Sequence, residues 1–273
     1  MYGHKTLLSF PQGQISINYR KAGKKNHPLI LLIHGLACSL NFWANLLSDD
    51  RVSNQASLVA VDLVGHGLSQ GPRWFDYSME GHAQMLARLV KETGLGQVDV
   101  IVGFSMGGPI AIHLYNHLKP QKLVLVEPVL TSKDVPISNI LSRMPLPVLA
   151  IARHIILFFP SIFARLYLKR PSFKAIDIIK QSFSRTTPWV FKRCSQELVK
   201  SAYNPKTYNI FKQIKAKKFV IIRGVMKMPG FQPPTDLLTT ASINRIPNTG
   251  HAIMLDDTLA FNMMLKKIIN KNF

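Results

Sequence analysis

Acidic side chains and cysteines are both scarce in this chain. Fourteen Asp and Glu stand against 34 Lys and Arg, a formal net charge of +20. The two cysteines, Cys38 and Cys194, lie far apart and match no metal-ligand spacing. A disulfide framework and a zinc site are therefore not expected, and both thiols read as reduced core residues of a cytoplasmic protein. No uninterrupted apolar run reaches the roughly 18 residues that a bilayer span needs. The nearest, Leu146 to Ala164, is broken by Arg153, His154 and Pro160. Met1 to Pro11 carries no apolar core of the signal-peptide kind. Internal repeats, low-complexity tracts and recognised nucleic-acid motifs are missing, so nucleic acid is not an expected partner. The expected location is cytoplasmic, with peripheral contact at a membrane as the one variation.

What is present supports a globular chain. Its 273 residues are 47% hydrophobic, enough for one large domain with an insertion. The positive charge is uneven. Residues 131–216 hold 15 Lys/Arg against Asp134, Asp177 and Glu197, so they carry +12 of the total. Such an excess points to an anionic partner or surface, or to a basic lineage.

Strand and helix patterns alternate along the chain. Residues 5–21 read as a β-hairpin around Pro11-Gln12-Gly13. Leu29–Ile33, Ser57–Val61, Val98–Val102, Lys122–Val126, Phe219–Ile222 and Ile243–Ile246 are apolar runs of strand length. Helical patterns cover Asn41–Leu47, Tyr77–Glu92, Ile110–His117, Pro233–Ala241 and Leu259–Ile269. Alternation of this kind predicts an α/β fold with a mostly parallel central sheet and helices on both faces. Residues 131–216 break the pattern. They hold no clear buried strand, and Pro136, Pro145, Pro147, Pro160, Pro171, Pro188 and Pro205 punctuate helical segments. The expected organisation is a core of residues 1–130 and 217–273 with a helical cap inserted at 131–216.

One stretch carries the chemistry. Gly103-Phe104-Ser105-Met106-Gly107 stands between a buried strand and a helix, the context of a nucleophile elbow. In a parallel sheet ligands gather at the carboxyl ends of strands. Gly35, Ser105, Glu127 and His251 each follow a predicted strand, so the pattern collects them at one edge.

In these residues the chain resembles the α/β-hydrolase fold family. His34-Gly35, the Asp62–Ser69 turn, the elbow and Gly250-His251 appear in that family's order. The resemblance implies Ser105 as nucleophile, His251 as base, and the N–H groups of Leu36 and Met106 as the oxyanion hole. His66, between two glycines, reads as structural. The family commonly carries an Asp in the loop after the strand matching Phe219–Ile222. Here that loop has no carboxylate, and Lys227 stands where the acid is expected. Glu127 is the first candidate replacement and Asp236 the second. Asp236 also suits a helix N-terminus, and a site without a triad acid is the third possibility. Asp256 and Asp257 read as leading into the last helix.

The expected activity is hydrolysis of a carboxylic ester of an apolar acyl group through an acyl-enzyme, with no cofactor and no metal. The bulky apolar and basic residues of 131–216 suit an apolar small-molecule ester, delivered by an acidic acyl carrier or an anionic membrane surface. Alternatives are a hydrolase-fold protein that binds without turnover, an acyl methyl esterase acting on carrier-bound chains, a lactonase and a C–C hydrolase.

Overall fold

The computed structural model describes residues 2–25, 27–214, 219–224 and 242–270. Lys227, Asp236 and the expected helix over 233–241 lie outside the described residues. Eight strands form one sheet: β1 (Tyr2–Phe10), β2 (Gly13–Gly23), β3 (Leu29–Ile33), β4 (Ser57–Val61), β5 (Val100–Phe104), β6 (Lys122–Val126), β7 (Phe219–Gly224) and β8 (Ser242–Ile246). Their spatial order is β1-β2-β4-β3-β5-β6-β7-β8. β2 pairs antiparallel with β1 and β4; every pairing from β4 through β8 is parallel.

Side chains alternate between the two faces of these strands, as the period-2 geometry requires. Leu31, Val59, Ile101 and Leu125 face one core with α3 (Met79–Glu92) and α4 (Gly107–Leu118). Leu32, Ala60, Val102 and Val126 face the other, with Trp43, Phe261 and Leu265. α1 (Ala44–Leu47), α2 (Asp50–Ser53) and α12 (Thr258–Asn270) cover that second side. Cys194 belongs to the first core and Cys38 to the second; both are free and buried.

The helix expected from Tyr77 starts at Met79. Tyr77 has φ 59°, outside helical space, and the Ser78 hydroxyl caps the helix by accepting the Gly81 N–H. A cap of this kind contributes about 1 kcal/mol.

Between β6 and β7 the described residues are helical: α5 (Pro136–Arg143), α6 (Leu146–Phe158), α7 (Pro160–Tyr167), α8 (Phe173–Arg185), α9 (Pro188–Tyr203) and α10 (Pro205–Gln213). The prolines start helices more than they stop them. Pro136, Pro160, Pro188 and Pro205 each open one, where a missing N–H costs nothing. Ser172, Thr187 and Asn204 cap α8, α9 and α10.

Candidate active site

The elbow forms as its residue pattern predicts. β5 ends at Phe104, and α4 begins at Gly107. Ser105 sits between them at φ 52°, in the left-handed region. Its N–H donates to the Val126 carbonyl at 2.9 Å, which ties the strained residue to β6. The turn is tight enough that a Cβ at Gly103 would lie 2.3 Å from the Gly107 carbonyl oxygen. The turn after β3 also approaches closely: a Cβ at Gly35 would lie 3.0 Å from Ser105 Cβ.

His251 reaches Ser105 from the loop after β8. Its Nε2 lies 3.1 Å from Ser105 Oγ. The ring is nearly buried, tilted against Phe104 on one side and Tyr167 of α7 on the other, with centroids 5.1 and 5.9 Å away. Glu127, the residue after β6, has φ 44°. Its Oε1 accepts the Gly224 N–H at 2.5 Å. Its Oε2 stands 3.9 Å from His251 Nδ1, within ion-pair range and longer than a hydrogen bond. Ser105 and Glu127 end neighbouring strands, because Phe104 pairs with Val126.

Leu36, Ser105 and His251 line a common cavity of about 80 Å³. Met106 is the N-cap residue of α4, next to Ser105. A second cavity, about 130 Å³ and almost wholly apolar, lies among α5, α6, α7 and α9. The two share Ile137, Leu141, Tyr167 and Phe191 as walls.

The sequence markers around the site have different jobs. Asp62 is buried and accepts from the Leu40 and Leu68 N–H groups and from Asn18 Nδ2, so it knits the turn after β4. Burial pushes its carboxyl up, and these three donors pull it back. His34 is locked as a neutral ring: Nε2 accepts the Leu63 N–H, leaving Nδ1–H for the Gly35 carbonyl. Burial lowers it to about 4. His66 is fully buried, bonds the Val64 carbonyl through Nδ1, and is lowered to about 3, first by burial and then by His34. It lines neither cavity.

Two carboxylates escaped the sequence reading of the site. Asp134 lines the Ser105 cavity and accepts the Leu130 and Thr131 N–H groups through Oδ2. Its sequence signal was available in Thr131-x-x-Asp134, a capping-box spacing that forms here. Asp256 does more than lead into α12. It closes the short helix α11 (Ile253–Asp256) and accepts three amides: Gly250 and Lys169 on Oδ2 and Arg170 on Oδ1, at 2.6, 2.9 and 2.8 Å. It therefore ties the His251 loop to the end of α7. No sequence pattern pairs residues so far apart. The described residues hold no group of three or more His, Cys, Asp or Glu placed to bind a metal.

Comparison with known proteins bears on the fold. A protein of Mycobacterium tuberculosis without assigned function is 34% identical over 131 residues, 47% of this chain and 36% of that protein. Epoxide hydrolase 3 of Xenopus tropicalis is 35% identical over 111 residues, 40% of this chain and 29% of the frog protein. The matches thus span about a third of these relatives' length. An esterase structure from Thermogutta terrifontis superposes with a TM-score of 0.72 over 98% of both chains at 17% identity. The family model described as alpha/beta hydrolase fold matches residues 28–219. This chain belongs to the alpha/beta hydrolase fold family.

Proposed function

We propose that the protein is a serine hydrolase that cleaves carboxylic esters of apolar acyl groups through an acyl-enzyme. The observation that carries this reading is the 3.1 Å contact between His251 Nε2 and the hydroxyl of Ser105 at a left-handed elbow. Ser105 Oγ attacks the acyl carbon while its proton passes to His251 Nε2. The N–H groups of Leu36 and Met106 receive the negative charge that develops on the carbonyl oxygen. Collapse expels the alcohol, which takes the proton from His251. Water then attacks the acyl-enzyme by the same relay and frees the acid. Residues 131–216 act as the cap over this site, and the apolar cavity receives the acyl chain.

The relatives include an epoxide hydrolase and a haloalkane dehalogenase. The residue at the elbow separates those chemistries from ester cleavage. A serine that attacked an epoxide or haloalkane carbon would form an alkyl ether, which water and an imidazole do not cleave. A serine ester is cleaved, so Ser105 suits acyl transfer. The 3.9 Å between Glu127 and His251 favours one other reading, a pocket that binds apolar ligands without turnover.

A fluorophosphonate probe separates the two. The wild-type protein labels and Ser105→Ala does not, and p-nitrophenyl esters from acetate to palmitate define the acyl length. Absence of labelling, or labelling that survives Ser105→Ala, overturns the acyl-enzyme reading.

A further inference from the structure

Helix α6 is apolar on two sides. Leu149, Ala152 and Ile156 face the cavity. One helical step round, Val148, Ile151, Ile155 and Phe158 recur at spacings of three and four and stand in solvent. A helix on the surface of a soluble domain normally turns a polar face outward. The patch continues on α7, where Ile162 and Leu166 are exposed, and across the corner at Phe159. Ile151, Phe158 and Ile162 expose 63%, 79% and 67% of their surface. The two helices meet at 96°, so the corner projects Phe158 and Phe159, whose rings touch at 5.0 Å.

The charge around this corner has one sign. Residues 136–172 contain Arg143, Arg153, Arg165, Lys169 and Arg170 and no Asp or Glu. Arg143, Arg165, Lys169 and Arg170 are exposed. Of the acids that flank this run, Asp134 is buried at its start, Asp256 accepts three backbone amides, and Asp177, exposed on α8, accepts from the Gln181 side chain. Leu166 belongs both to the exposed patch and to the wall of the apolar cavity. The patch and the cavity thus share a side chain.

We infer that the α6–α7 corner docks on bilayers of anionic phospholipid, with its apolar side chains in the acyl region and its arginines and lysines at the headgroups, and that the ester enters the cavity from that bilayer. Apolar residues backed by cations are what an interfacial surface requires. A second copy of this chain fits less well, since like-charged rims would face each other. An acidic carrier protein matches the charge and leaves the apolar face in water. No single helix among the described residues is long and apolar enough to cross a membrane; α6 and α7 meet that test of length and composition only as a pair, and their 96° bend presents the pair as a corner that docks at one leaflet. The source of the ester rests on the acyl-transfer reading; docking does not.

The test is sedimentation of the Ser105→Ala protein with sucrose-loaded vesicles. The vesicles are phosphatidylcholine alone, or phosphatidylcholine with phosphatidylglycerol, each at low and high salt. Anionic vesicles retain the protein at low salt, and neutral vesicles retain it at least about tenfold less. Ile151→Ser combined with Phe158→Ser keeps the charge and weakens binding to anionic vesicles by about tenfold or more, with an unchanged unfolding temperature. Arg165→Gln combined with Arg170→Gln removes most of the salt dependence. Docking is overturned if anionic vesicles do not retain the protein, or if the double serine variant binds as well as the parent. It is also overturned if light scattering shows a dimer that the double serine variant dissolves. Loss of vesicle binding beside intact, Ser105-dependent turnover of a soluble ester by the wild-type protein overturns docking and leaves acyl transfer standing. Vesicle binding without turnover of any ester does the reverse.

Discussion

Ser105 and Glu127 end adjacent strands, and each has a positive φ, 52° and 44°. Neither is a glycine, so each conformation costs on the order of 1–3 kcal/mol. Hydrogen bonds hold both in place: Ser105 N–H to the Val126 carbonyl, Glu127 N–H to the Ile222 carbonyl, and Gly224 N–H to Glu127 Oε1. Under the proposed chemistry Glu127 orients the His251 ring and stabilises its cation. Glu127→Gln keeps an acceptor for Gly224 and removes the charge. We expect p-nitrophenyl ester turnover to fall by about 10³-fold or more with the unfolding temperature little changed. Unchanged turnover would show that the orienting group lies elsewhere. Ser105 and His251 were legible in the sequence because a strand, a glycine-flanked serine and a late Gly-His are local patterns. The placement of Glu127 was legible in part, since its strand could be recognised as the elbow strand's neighbour. Its backbone conformation and its bond to Gly224 depend on β7, which no local pattern reports.

At the scale of elements, the His251 loop and α7 are tied through one carboxylate. Asp256 accepts from Gly250, Lys169 and Arg170, and Ala252 N–H reaches the Tyr167 carbonyl at 3.1 Å beside it. Asp256→Ala leaves three amides without that acceptor, a loss of roughly 2–4 kcal/mol. We expect a lower unfolding temperature, a reduced kcat because His251 loses its anchor, and a raised KM because the end of α7, which gives Leu166 and Tyr167 to the cavity walls, loses the same anchor. Asp256→Asn retains one carbonyl acceptor and should fall between wild type and alanine. If alanine changes neither kcat nor unfolding temperature, the tie positions nothing. The helical character of the stretch between β6 and β7 was readable from its lack of buried strands, and several helix starts follow from Pro at the first position, with Thr187 and Asn204 capping two of them. The join between α7 and α11 was not readable, because it depends on two residues 87 apart in sequence, Lys169 and Asp256, meeting in space.

For the whole molecule, pH reaches the core through buried histidines. His34, His66 and His82 are fully buried near one another. Burial holds His34 at about 4 and His66 at about 3, and lowers His82 well below its ordinary range. In the unfolded chain the same rings take protons near 6.5. Between about pH 6.5 and 4 the unfolded state therefore binds more protons, and stability falls as pH falls through that window. His82 packs its ring against Phe75 and Tyr77 and, among the described residues, neither of its nitrogens has a hydrogen-bond partner. His82→Phe keeps the ring contacts and removes one titrating group. Its unfolding temperature should decline less steeply from pH 6.5 to 4 than that of wild type; an equal slope would exclude His82 as a contributor. The alternation of apolar runs made a mostly parallel sheet legible, and its strand order came only from the structure. The histidine cluster was not legible, because three residues from separate loops and a helix converge only in the folded core.

The two cysteines carry a last consequence. Cys38 and Cys194 lie on opposite faces of the sheet, each buried in its own core, with Cys38 also lining the Ser105 cavity, and burial pushes both thiols up. The sheet itself keeps them from pairing, and their burial leaves little thiolate for an external oxidant. The fold therefore draws on no disulfide between these two cysteines. Free thiols in this chain are compatible with an oxidising compartment as well as a reducing one, and the scarcity of cysteine records how the core is packed rather than where the protein works.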